Sequence, residues 1–304
     1  MNIIMEEKLK NIEISKICES LYKSAETIYE KLKSGAGLEF LDTKNQSHDK
    51  QLELDVFADN CFQENVSKNT DVRFILSEER PDLVEYGKGK YSLTLDPLDG
   101  SKSALVGIPS GAIFGIFENA SKVEDFNGDN IICGGFFVFG INLEVYISIN
   151  GEASKGVFNK EKNRWNFVSV NKFRSYKMFS INASNRNKWD TWLQKFYDDL
   201  LYNNDSSKSY NMRWYASMVS EIKRLIIQGG LFAYPGDSRE GYSQGHLRLV
   251  YEAMPMSYLI ESIGGASTDG KISILKKAVS ELHQKTPVFI GERDLIDRIN
   301  GLNN

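Results

Sequence analysis

The chain has 304 residues, 41% of them hydrophobic, and a net charge of −4. That length suits two modest domains or one large one, and the apolar content is ordinary for a globular protein that buries a core. The small negative charge excludes a nucleic-acid binder, which needs a basic face; the first ten residues lack the apolar stretch of a secretory signal, and no run approaches the roughly 20 apolar residues that span a bilayer. Ile14, Ile17, Cys18, Leu21, Ala25, Ile28 and Leu32 recur at helical spacing, with Gly35 suited to the C-terminal cap. Residues 35–47 are polar and read as a loop, and 49–66 as a second helix. Short apolar runs at 73–77 and 91–95 read as strands, the first stopped by Glu78-Glu79 and the second by Asp96; 112–117, 131–139 and 143–149 read as further strands.

The second half changes rhythm. Strands are expected at 178–182, 231–234 and 288–290, and helices at 189–201, 212–227, 247–263 and 293–299, with Gly229-Gly230 and Gly264-Gly265 as stops. Alternating strands and helices imply an α/β unit. A boundary near residue 172 would separate an N-terminal α+β domain, 1–172, from a C-terminal α/β domain, 173–304. Cys18, Cys61 and Cys133 fit no zinc spacing and no disulfide framework, so three reduced thiols in a soluble, cytoplasmic protein are expected.

Asp96-Pro97-Leu98-Asp99-Gly100-Ser101 follows a strand directly. Pro97 forces a turn, so both acids and the Leu98 carbonyl can converge as hard oxygen ligands for Mg²⁺. Gly100 then lets backbone amides approach a phosphate. The same composition also suits a surface turn. Glu78-Glu79 ends another strand; adjacent carboxylates repel unless a cation lies near them, although Arg80 beside them also fits a solvated loop. If the two strands are neighbours, all four acids share one sheet edge, which is costly without metal. In Tyr251-Glu252-Ala253-Met254-Pro255-Met256, Pro255 lacks an N–H, so the Tyr251 carbonyl loses its helical partner and Glu252 sits at an irregularity or is a plain helix carboxylate.

These elements, with Gly229-Gly230, Tyr234-Pro235, Leu247-Arg248-Leu249, Gly264-Gly265 and Thr286-Pro287-Val288, resemble class I fructose-1,6-bisphosphatases and the related sedoheptulose-1,7-bisphosphatases. Inositol monophosphatases share only the first two elements. The resemblance implies a layered α-β-α-β-α sandwich and Mg²⁺-dependent hydrolysis of a sugar 1-phosphate by an activated water, without a phospho-enzyme. Two to three ions are implied, with Mn²⁺ able to substitute. Glu78, Glu79, Asp96, Asp99, Glu252 and the Leu98 carbonyl match metal ligands. Asp49 and Asp55 match acids near the attacking water, a task Glu79 could share; local geometry alone does not choose them over Asp59. Arg248, Gly100 and Ser101 match contacts to the scissile phosphate. Asn182, Arg213 and Tyr234 match grips on the distal phosphate, the arginine across a subunit interface, so a homo-oligomer, dimer or tetramer, is implied.

The pattern departs at four places. His246 stands where the family has a substrate-contacting lysine, Trp214 and Asn185 stand for tyrosines, and Lys102-Ser103 follow Ser101 where small polar residues are usual, a lysine there being a feature of 3′-phosphoadenosine phosphatases. The segment 236–245 resembles an insertion in the same pocket. A seven-carbon or specialised sugar phosphate, or a nucleotide 3′-phosphate or inositol phosphate, is therefore an alternative substrate. The Gly-Thr-rich stretch of the vertebrate-type AMP site is absent, which implies weak or no AMP inhibition.

Overall fold

The computed structural model describes residues 12–44, 50–202 and 209–303. Asp49 lies outside them. The expected first helix is α1 (Ile12–Lys33), whose apolar stripe, from Ile14 through Ile28, is fully buried. The polar stretch after it is not all loop: β1 (Phe40–Lys44) pairs antiparallel with β2 (Lys50–Leu52). The second helix, α2 (Glu53–Val66), accordingly starts later than its pattern suggests. Leu52 is extended and fully buried, and Asp55 closes the first turn by accepting the Leu52 N–H at 2.6 Å.

An eight-stranded sheet follows, built from β3 (Val72–Ser77), β4 (Val84–Glu85), β5 (Tyr91–Asp99), β6 (Ser110–Glu118), β7 (Ile131–Phe139), β8 (Leu143–Ile149), β9 (Glu152–Asn159) and β10 (Arg164–Ser169). Its order is β10-β9-β8-β7-β6-β5-β3-β4, antiparallel throughout except for the parallel pair β3–β5. Strands β9 and β10 are not among the expected elements, because their apolar residues alternate only at Trp165 and Phe167. After β5 comes a single turn of helix, α3 (Ser101–Ala104). The chain then builds β11 (Met178–Ser180), α4 (Thr191–Leu201), β12 (Asn211–Met212), α5 (Met218–Gln228), β13 (Leu231–Tyr234), β14 (Leu247–Arg248), α6 (Met254–Ser262), β15 (Ala266–Thr268), β16 (Lys285–Thr286), β17 (Val288–Gly291) and α7 (Arg293–Leu302). A second, five-stranded sheet has the order β12-β11-β13-β17-β15.

Three apolar clusters define the layers. Helices α1 and α2 cover one face of the large sheet. Helices α5 and α6 fill the space between its other face and the small sheet. Helices α4 and α7 cover the outer face of the small sheet. The result is the α-β-α-β-α sandwich that the resemblance implied. Because both faces of the large sheet are covered, β7 is a nearly unbroken apolar run. All three cysteines are buried and free, and no helix among the described residues is long and apolar enough to cross a membrane.

Two corrections concern the middle layer. The helix expected from residue 212 starts at Met218, because Asn211–Met212 joins the small sheet and Ser217, extended, caps the helix by accepting the Ser220 N–H. Between them Ala216 has φ +56. The long helix expected over 247–263 divides into β14, a π-helical turn Leu249–Ala253 and α6. In the π turn the Met254 N–H reaches the Leu249 carbonyl, so Pro255 deprives Val250, not Tyr251, of its partner. The buried Thr94 hydroxyl supplies that bond, donating to the Val250 carbonyl at 3.1 Å. Gly134 of β7 lets the start of α6 pack closely: a Cβ there would lie 2.5 Å from the Pro255 carbonyl oxygen.

Candidate active site

Because β3 and β5 are parallel neighbours with Ser77 opposite Leu95, Glu78-Glu79 and Asp96 emerge at one edge of the large sheet. Strand β5 does not stop at Asp96 but continues to Asp99, with a register irregularity against β6 where Pro97 removes a donor. Asp96 accepts the Leu98 N–H at 3.1 Å. Asp99 accepts the Val219 N–H at 2.9 Å, in the first turn of α5. Glu252, in the π turn, accepts the Arg248 N–H at 2.6 Å. Asp96, Asp99 and Glu252 each thereby offer an oxygen within 4.8 Å of the others. Glu78, Glu79, Leu98 and Asp55 line the same cleft, of about 350 Å³.

Burial and mutual repulsion raise these carboxyls. Asp96 is pushed well above the carboxylate range by burial, then by Glu78, Asp99, Glu252 and Glu79. Glu252 is raised by burial and then by Glu78. Asp99 is raised by burial to about 6, against the pull of the α5 amides. Buried like charges at this spacing are expensive alone, and a set of hard carboxylate oxygens is the donor set a divalent cation of the Mg²⁺ type takes. The residues therefore fit a metal centre.

Gly100, with φ +73, opens α3, and Gly100 and Ser101 line the cleft beside the acids. The structure also separates the two candidate acids of α2. Asp59 is held by Ser77 Oγ at 2.7 Å and Arg80 Nε at 2.6 Å, so Arg80 serves this buried pair, while Asp55 faces the cleft.

The far end of the cleft is a stack of rings. Asn182, Trp214, Tyr234 and His246 line it. The Tyr234 and His246 rings lie 5.4 Å apart at 20°, and His246 and Tyr242 5.5 Å apart at 8°. Trp214 packs on Tyr234 and stacks on Phe232, and the Arg239 guanidinium lies 4.0 Å over Tyr242. The imidazole is thus clamped between two tyrosines.

Residues 2–170 match the family model for the fructose-1,6-bisphosphatase N-terminal domain, and residues 174–304 that for its C-terminal domain. The chain belongs to the fructose-1,6-bisphosphatase family. A class 1 fructose-1,6-bisphosphatase of Rhodobacter capsulatus is 36% identical over 256 residues, 81% of this chain and 76% of that protein. One of Bradyrhizobium sp. is 37% identical over 267 residues, 84% of this chain and 77% of that protein. The fold matches that of the Leishmania major fructose-1,6-bisphosphatase in holo form with a TM-score of 0.91, covering 98% of this chain and 97% of that one at 24% identity.

For a fructose-1,6-bisphosphatase, one expected residue stands apart: Arg213 is exposed, donates to the neighbouring Met212 carbonyl at 2.7 Å and does not line the cleft of its own chain. Further residues, not expected from the sequence pattern, build the site. Ser217 and Val219 anchor Asp99 to α5; the signal was a serine immediately before an apolar helical run. Thr94 and Tyr242 left no local signal, because their partners lie on other elements or depend on loop conformation.

Proposed function

We propose that the chain hydrolyses the 1-phosphate of a sugar bisphosphate, with fructose 1,6-bisphosphate giving fructose 6-phosphate as the first candidate. The observation that carries this reading is the convergence of Asp96, Asp99 and Glu252, two of them buried and Asp99 half-buried, in the wall of a polar cleft. Those three, with Glu78, Glu79 and the Leu98 carbonyl, would hold two to three Mg²⁺ ions, with Mn²⁺ as a substitute. When bound, the ions neutralise the phosphoryl oxygens and acidify the attacking water.

The chain's own groups do the rest. Asp55, fixed by the Leu52 amide, and Glu79 orient the water and accept its proton; Asp49 belongs to this group by the resemblance. The water oxygen bonds to phosphorus in line as the bond to the sugar oxygen breaks, and that oxygen takes up a proton. Arg248 and the Gly100 and Ser101 amides hold the phosphoryl oxygens. Asn182, Tyr234 and His246 hold the distal phosphate. Arg213 is exposed and does not line the cleft of its own chain, which supports a homo-oligomer in which it serves a neighbouring subunit; the Arg213→Ala KM and the molar mass in solution test this together. A cytoplasmic setting fits three buried free thiols.

The direct test is phosphate release with Mg²⁺ from fructose 1,6-bisphosphate and sedoheptulose 1,7-bisphosphate, beside Glu79→Gln. The six-carbon substrate is expected to be turned over and the variant to be inactive. A better seven-carbon substrate would assign the ring-lined end to a longer sugar. Release that survives Glu79→Gln would overturn the site.

A further inference from the structure

Between Tyr234 and His246 the chain makes a surface loop, 236–245, in which Ser238, Glu240, Gly241, Ser243 and Gln244 are exposed. Asp237 alone among its charged side chains is buried. Its carboxylate takes three hydrogen bonds from one residue: the Arg239 backbone N–H at 3.0 Å, Nε at 2.8 Å and Nη2 at 2.6 Å. The last two form a bidentate fork, which fixes the plane of the guanidinium as a lysine could not be fixed. Arg239 in turn holds Asp237 below the usual carboxylate range, so the pair is charged at neutral pH.

That plane meets the Tyr242 ring at 4.0 Å from its centre, and the His246 ring stacks on Tyr242 at 8°. The Tyr242 backbone is secured separately: its carbonyl accepts the Asp237 and Gly245 N–H groups at 3.1 and 3.0 Å, and its N–H donates to the Arg239 carbonyl at 3.1 Å. These bonds place the Cα and leave the ring its own torsions, which the guanidinium and the imidazole then settle. The loop also holds the opposite wall, because the Ser238 N–H donates at 3.0 Å to the Lys188 carbonyl, at the end of the turn Ala183–Lys188 that Asn182 caps. Segments carrying Asn182, Tyr234 and His246 thus meet at Asp237, although neither Asp237 nor Arg239 lines the catalytic cleft. We propose that Asp237 is a positioning residue for the distal end of the cleft: through Arg239 and Tyr242 it fixes the His246 ring, and so sets how tightly the substrate is held without touching it. The effect on substrate affinity rests on the phosphatase reading above; the placing of the ring does not.

The experiment takes two readouts from the full chain. The first is the NMR signal of the His246 ring at fixed pH; the chain has three histidines, so loss of one signal in His246→Gln assigns it. Asp237→Ala and the milder Arg239→Gln are each expected to move that signal toward the position of a solvent-exposed histidine, as Tyr242→Ala does, while Tyr242→Phe leaves it in place. The second is kinetic. Each of the two variants should raise the KM for fructose 1,6-bisphosphate by about twofold to tenfold with kcat held within about twofold, and combining either with Tyr242→Ala should add nothing further, because both changes break one chain of contacts. An Arg239 that met the phosphate itself, from the small hollow it shares with Asn182 and Tyr234, would give KM increases that multiply with that of Tyr242→Ala and leave the His246 signal unmoved. That result overturns the proposal, as does a fall in kcat at unchanged KM or an unmoved signal in both variants. A moved signal in a chain that turns over no sugar bisphosphate keeps the positioning role and sinks the phosphatase reading alone.

Discussion

At the acid end of the cleft, three carboxylates are each fixed by a backbone N–H: Asp96 by Leu98, Asp99 by Val219 and Glu252 by Arg248. At the sugar end, His246 is fixed by the faces of Tyr234 and Tyr242, and the wall continues through Trp214 to Phe232. Backbone hydrogen bonds set position closely and tolerate little change in the side chains they hold. Stacked faces are weaker, about 0.5–1.5 kcal/mol each, and adapt by sliding. Three of the four departures from the family pattern, His246, Trp214 and Asn185, belong to the adaptable end, while the fourth, Lys102-Ser103, adjoins the acid motif and lines the same cleft.

The largest effect expected from breaking this contrast is at the acid end. Asp96→Asn removes a proposed metal ligand and should lower kcat by roughly 10³-fold or more, since a bound metal contributes several kcal/mol of transition-state stabilisation. The same change should raise the melting temperature of the metal-free protein, because it deletes one of the mutually repelling buried charges. A variant that loses activity and metal-free stability together would mean that Asp96 is structural.

The pH dependence of the metal-free protein follows from the same cluster. Asp99 binds its proton more tightly in the folded chain, up to about 6, so its contribution to stability is fully present below the unfolded carboxylate range and is lost as pH rises through about 6. The loss from this residue is on the order of 3 kcal/mol, and Asp96 and Glu252, raised higher, extend the fall. Thermal melts without metal should show this decline, and saturating Mg²⁺ should remove it. Stability that rises across that range without metal would show that the cluster is not strained.

The acid end was legible in the sequence because its residues come in contiguous runs: Glu78-Glu79, then Asp96 to Ser101, then Glu252. Adjacency of β3 and β5 was the one condition that had to be met in space, and the register of Ser77 with Leu95 meets it. What stayed hidden depends on partners far along the chain. Asp55 and Asp59 lie one helical turn apart on α2 and look alike in sequence; only Ser77 and Arg80, brought over by β3, commit Asp59 to structure. The strand Phe40–Lys44 was hidden because its polar composition reads as loop, and its partner β2 was absorbed into an expected helix. The π turn was hidden because Pro255 signals an irregularity without saying which carbonyl it orphans.

That carbonyl offers the next prediction. Thr94→Val keeps the shape of a fully buried side chain but removes the hydroxyl that serves Val250. An unsatisfied buried carbonyl costs about 1–3 kcal/mol, so the melting temperature should fall by several degrees. Because the π turn carries Glu252, kcat with saturating substrate should fall as well, with Mg²⁺ affinity weakened. An unchanged Mg²⁺ requirement beside a lowered melting temperature would confine Thr94 to the core.

The smallest effect is expected at the adaptable end, and it is the one that most sharpens the contrast. Tyr242 does not line the cleft; it touches His246 from behind, with Arg239 over its other face. Tyr242→Ala removes one wall of the clamp and should raise KM by about twofold to tenfold, the worth of one stacked pair. kcat should stay near its starting value, because the acids are 4.8 Å or less from one another whatever the distant ring does. Tyr242→Phe keeps the ring face and should restore KM. If Phe fails where Ala fails, the hydroxyl rather than the stack matters. If kcat falls with Tyr242→Ala while KM stays, the two ends of the cleft are mechanically coupled and the division drawn between them does not hold.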